Sequence, residues 1–143
     1  MDELQAIESI SSRMRRIFEK VLVATDVKGT SGTCIYASIL LQQSPDRFGG
    51  CETVVRGGDG LSDGGVRDMV GVWHGHYWVE GVTSSGTPFL ADISADQFGW
   101  RSVVVLTLAE GRSRYRPGND ELCGQDVGDG TRRMGPVSCN PPT

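Results

Sequence analysis

Residues 72–81 read VWHGHYWVEG, and this stretch decides how the chain folds. Its aromatic and β-branched residues predict strand. Side chains on a strand alternate between two faces. Trp73, Tyr77 and Val79 are therefore expected on one face, against the core, and His74, His76, Trp78 and Glu80 on the other. The wider segment 66–82 is expected to form one long strand or two short ones.

Other strands flank this one. CETVVRGG at 51–58 reads as a short strand that leads into the glycine-rich loop GGDGLSDGG. TPFLADIS at 87–94 reads as the strand that follows the turn TSSG. RSVVVLTLA at 101–109 is apolar and reads as an interior strand. From Gly111 onward the chain is polar and rich in glycine and proline. Residues 111–143 are expected to be an irregular tail, mobile over much of its length, that adds one edge strand or wraps the surface.

Two helices precede the strands. Leu4, Ile7, Ile10, Met14, Ile17, Phe18 and Val21 recur at steps of three and four, which predicts an amphipathic helix from Asp2 to about Val21. Asp2 and Gln5 fit a reciprocal N-terminal cap. Glu3, Glu8, Ser12, Arg15, Glu19 and Lys20 fall on the face expected to be solvated. The loop DVKGTSGT then ends at Thr33, a candidate N-cap. A second helix from Cys34 to about Gln43 is apolar nearly all round, as a buried helix is. The order predicts a single α+β domain over 1–143, with N-terminal helices packed on an antiparallel sheet and one of them central.

Composition narrows the function. The chain has 143 residues and a formal net charge of -4, so no basic footprint favours nucleic acid. No apolar run approaches the roughly 20 residues of a membrane span. The N-terminal stretch lacks a signal-like apolar core, which predicts a cytoplasmic protein, with delivery to another cell by a specialised secretion system as the alternative. Cys34, Cys51, Cys123 and Cys139 are then expected as free thiols. None of them forms a Cys-x-x-Cys pair, which argues against structural zinc.

Three residues stand in contexts that suit one chemistry. Cys34 opens its helix in GTSGTCIYASILL, where unsatisfied N–H groups and the helix dipole favour thiolate. The same N–H groups suit an oxyanion, and Gly32 and Thr33 leave a substrate room to approach. His76 lies on the strand above, with Trp78 placed to cover it and contact substrate. Asp92 lies in FLADISADQFG, an apolar setting where a carboxylate needs a partner. A histidine on the adjacent strand is a natural one. Asp96 reads as a turn or cap residue, and Gln97 as a local hydrogen-bond donor or a substrate-orienting group. Cys34 as nucleophile, His76 as base and Asp92 as orienting group would require no cofactor and no metal.

His74, His76 and Glu80 also form H-x-H-x-x-x-E, which resembles the first metal motif of the cupin family and implies a divalent transition-metal site. That family's pattern includes a later histidine, and none follows His76.

The residues from about Gly29 to Trp100 resemble the papain-like and transglutaminase-like cysteine enzymes. The resemblance rests on TSGTCIYASILL, on HYWVEG and on FLADISADQFG. The separations, 42 residues from Cys34 to His76 and 16 on to Asp92, are similar to those of bacterial glutamine-deamidase effector and toxin domains. The resemblance implies a papain-like fold, a Cys34–His76–Asp92 triad and a protein or peptide substrate attacked at an amide, by deamidation, proteolysis or transamidation. Papain-type proteases place a glutamine upstream of the cysteine as oxyanion donor. No glutamine lies between Ile7 and Cys34 here. A non-catalytic binding module of the same fold, using the glycine-rich loop and the tail, is the alternative. Oligomeric state is not legible.

Overall fold

Asp2 and Gln5 close the start of the first helix reciprocally: Gln5 N–H donates to Asp2 Oδ1 at 2.7 Å and Asp2 N–H donates to Gln5 Oε1 at 3.0 Å. This helix, α1, runs Glu3–Ala24, one turn beyond its expected end. The computed structural model describes residues 2–24, 34–42, 53–58 and 64–118. The elements that follow α1 are α2 (Cys34–Gln42), β1 (Thr53–Gly58), β2 (Gly65–Arg67), β3 (Trp73–His74), β4 (His76–Val82) and β5 (Pro88–Asp92). A 3-10 turn (Ala95–Phe98), β6 (Val104–Thr107), α3 (Leu108–Gly111) and β7 (Tyr115–Arg116) complete the described chain.

The strands make two antiparallel sheets, ordered β1-β4-β5-β6 and β3-β2-β7. The fold is therefore mixed helix and antiparallel sheet, as expected. Its core is split by the larger sheet. Ile7, Met14 and Phe18 of α1 pack with Ala37 and Leu41 of α2 on Val55, Val79 and Phe89 of the sheet. On the other face, Trp78, Leu90 and Val104 pack with Val66 and Tyr115 of the smaller sheet. Each fully buried side chain of this size stabilises by about 1.5–3 kcal/mol.

This layering corrects several expectations. Segment 66–82 makes three strands, because Asp68 turns the chain between β2 and β3. Its Oδ1 accepts from Val70 N–H at 3.0 Å and Val72 N–H at 2.9 Å. Both faces of β4 are covered, so the face expected to lie away from the core is itself core: His76 and Trp78 are 0% exposed and Glu80 4%. Strand β6 is apolar yet lies at a sheet edge among the described strands. Ile17 and Val21 of α1 are exposed, whereas Arg15 and Glu3, expected in solvent, reach across to other elements. Arg15 Nη1 donates to the Ile93 carbonyl and to Asp96 Oδ1, both at 2.8 Å. Glu3 accepts from Ser84 Oγ at 2.9 Å and from Ser85. Within the segment expected as a tail, β7 adds an edge strand to the smaller sheet among the described strands, with Tyr115 fully buried, and residues 119–143 lie outside the described residues.

Gly57 in β1 shows how closely the sheet is packed. A Cβ there would lie 2.4 Å from Tyr77 Cδ1 and 2.6 Å from the His76 carbonyl oxygen. Only glycine fits this approach. No helix among the described residues is long and apolar enough to cross a membrane.

Candidate functional site

His76 begins β4 and Asp92 ends β5, and the antiparallel register returns both to the same end of the sheet. They share the Trp78 face, between the two sheets. His76 Nε2 and Asp92 Oδ2 are 2.7 Å apart, with the side chains 0% and 1% exposed. The second carboxylate oxygen, Oδ1, accepts from Ser94 N–H at 2.9 Å and from Ser94 Oγ at 3.3 Å. Tyr115 Oη donates to Oδ2 at 2.7 Å.

Burial is the largest influence on Asp92 and opposes ionisation. The adjacent His76, the Ser94 N–H and the Tyr115 hydroxyl together outweigh it and hold the carboxyl below its ordinary range. Asp92 is thus an ionised acceptor, so the His76 proton facing it sits on Nε2. Proton exchange at this imidazole then falls to Nδ1. Tyr115 is pushed well above its ordinary value, by burial first and by the Asp92 charge and hydrogen bond next, and keeps its proton.

Aromatic rings enclose the histidine. Phe98 meets it edge-on at 4.7 Å, Trp78 lies parallel at 6.3 Å, and Tyr115 is at 6.4 Å. Trp78 is fully buried beside the imidazole. Its Nε1 donates to Glu80 Oε2 at 2.8 Å. Gln97 is local: its Nε2 donates to the Ser94 carbonyl at 3.0 Å. Asp96 makes a bidentate pair with Arg15 and so ties the 3-10 turn to α1.

The cupin-like set does not converge. His74 lies on β3 in the smaller sheet, where its Nε2 meets Asp68 Oδ2 at 2.8 Å. Glu80 is held bidentately by Arg112 at 2.7 and 2.9 Å and by Arg56 at 3.1 Å. Among the described residues no three His, Cys, Asp or Glu side chains could hold a metal ion together.

Cys34 is the first residue of α2, as expected. Its side chain lies outside the described residues, as do Gly32, Thr33, Cys51, Cys123 and Cys139. Helix α2 packs on β4, the strand that carries His76, and on β1, where Gln42 Nε2 donates to the Thr53 carbonyl at 3.1 Å. The described side chains Ala37 and Leu41 join the Val79 face, opposite to the His76 ring.

Sequence reasoning missed Ser94, Phe98 and Tyr115. Ser94 had a local signal, because an aspartate commonly accepts from the N–H two residues on. Tyr115 had none of that kind; only the tertiary fold brings it to Asp92. No family model, curated protein or solved structure matches the chain.

Proposed function

We propose that the protein is a thiol hydrolase or acyltransferase of papain-like arrangement that acts on amide bonds of a protein or peptide. The observation that carries this reading is the buried 2.7 Å pairing of His76 Nε2 with ionised Asp92. It fixes the tautomer that a thiol enzyme requires. Cys34 at the start of α2 supplies the nucleophile, favoured as thiolate by the helix N-terminus. The thiolate attacks the carbonyl carbon, and the backbone N–H groups of the first turn hold the oxyanion. His76 gives the Nδ1 proton to the departing amine as the C–N bond breaks, which leaves a thioester. Water or an amine then displaces the thiol, and His76 takes up the proton. With a glutamine side chain and water, ammonia leaves and glutamate forms.

The test is alkylation of Cys34 by iodoacetamide across pH, with peptide mapping to separate it from the other three cysteines. The reading expects Cys34 to react faster than a free thiol below pH 7 and to lose that advantage in His76→Ala. Ordinary thiol kinetics in both proteins would sink it.

Complete burial of the histidine favours a second reading, a binding module in which the pair is structural. Buried polar groups that satisfy each other also specify a fold. This reading expects Cys34→Ala to leave the biological effect intact.

A further inference from the structure

We propose that Tyr115 is a positioning residue for the His76–Asp92 pair, delivered by the strap of residues 112–118, and that docking of this strap sets how strongly Asp92 holds the imidazole. The inference rests on the reading above only in taking this pair as the working part of the site.

The bond pattern carries the argument. Asp92 Oδ2 receives both His76 Nε2 and Tyr115 Oη, each at 2.7 Å, so the two donors share one charged oxygen. Each donor reduces the charge available to the other. Phenylalanine would fill the same space between Val66 and Trp78, so the hydroxyl is not required for packing. Burial and the Asp92 charge keep its proton in place.

The strap is fixed by groups other than the pair. Arg112 clasps Glu80 bidentately, and the Arg114 carbonyl accepts from Arg67 N–H at 2.8 Å. The guanidiniums of Arg114 and Arg116 lie over Trp100 at 3.6 Å and Trp73 at 4.5 Å. Gly118 N–H donates to the Gly57 carbonyl at 2.7 Å. These anchors bracket the tyrosine on both sides and hold the phenol at Asp92. Among the described side chains, the other titratable or charged groups around the pair are His74 beyond Phe98, Glu80 with Arg56 and Arg112 beyond Trp78, and Arg114 beside Tyr115.

Loss of the hydroxyl leaves Asp92 with less of its charge quenched, so it stabilises the imidazolium more. The experiment follows the His76 ring resonances by NMR against pH. The chain has two histidines, and His74→Gln assigns them. Tyr115→Phe is expected to move the His76 titration to higher pH while the protein stays folded. An unmoved titration in the folded variant overturns the proposal.

If Tyr115→Phe does not fold, 3-fluorotyrosine gives the reverse test in a Tyr36→Phe, Tyr77→Phe background, where position 115 alone carries the label. The more acidic phenol donates more strongly, so the His76 titration moves to lower pH; no movement overturns the proposal. A pure packing role would not move the titration in opposite directions. Failure of the thiol reading shows separately, as Cys34 alkylation indifferent to His76→Ala.

Discussion

Phe98 meets the His76 ring edge-on, with centroids 4.7 Å apart and planes at 78°, while His74 lies 5.1 Å from the same phenyl ring. One phenyl group thus separates an enclosed imidazole from a half-exposed one. Phe98 ends a single 3-10 turn, and Gly99 follows it with φ of 87°, a left-handed position that suits glycine. A turn of this length is held by few backbone bonds and opens more readily than the strands beside it.

Phe98→Ala should therefore expose His76 without disturbing the Asp92 bond. Diethyl pyrocarbonate, which modifies accessible imidazoles, reads this directly. Easing the opening by about 1.4 kcal/mol speeds His76 modification about ten-fold. His74 touches the same phenyl ring and gains less, since it is half-exposed already. Equal rates at His76 in the two proteins would show that access runs elsewhere.

Asp92 makes folding stability depend on acid. Its carboxyl is lowered in the folded state from an ordinary value of 3.8. A lowered carboxyl contributes stability that is present above the unfolded value and is lost as pH falls through the folded one. Urea unfolding should show the protein losing stability below about pH 4, with a smaller loss in Asp92→Asn. At pH 7 that variant should be less stable by about 3 kcal/mol, as for one partner removed from a buried pair. Identical acid limbs in the two proteins would contradict the assignment.

Glu80 holds the strap to β4 through Arg112 and neutralises Arg56. Glu80→Gln should destabilise by about 2–4 kcal/mol in thermal or urea unfolding, toward the low side of a buried-pair loss because both guanidiniums are partly solvated. Adding Arg112→Met should recover part of that loss. A double variant no better than the single one would mean that the pair does not act as a unit.

Glu80 also bears on metal chemistry. A carboxylate engaged by two arginines is a poor cation ligand, and His74 faces Asp68 rather than His76. Elemental analysis of the purified protein should find no stoichiometric transition metal bound through these residues. A metal retained by the wild type and lost in both His74→Ala and Glu80→Ala would revive the cupin-like arrangement.

How far the sequence spoke depends on the residue. The cap at Asp2 and the helix that opens at Cys34 rest on local pattern, and their signals were plain. An aspartate in an apolar strand must find a donor, so the His76–Asp92 partnership was legible from chemistry alone. The two-sided burial of β4 was not. Alternation separates two faces but does not say whether a second sheet covers the outer one, and that sheet is assembled from distant pieces, Gly65–Arg67 and Tyr115–Arg116. The edge position of β6 was hidden for a related reason, because its apolar side chains face α1 on one side and the smaller core on the other. Tyr115 looked like part of a charged tail because its neighbours are arginines, and two of them cover tryptophans rather than facing only water.

The lateness of Tyr115 in the chain has a consequence for biosynthesis. Cys34, His76 and Asp92 all leave the ribosome before it, and the first two helices and the four strands of the larger sheet are complete by residue 107. A nascent chain halted there already carries Cys34, His76 and Asp92, yet lacks one of the donors to Asp92. The finished arrangement thus arrives with the last described strand, and a product ending before residue 115 would carry a polar centre short of one donor.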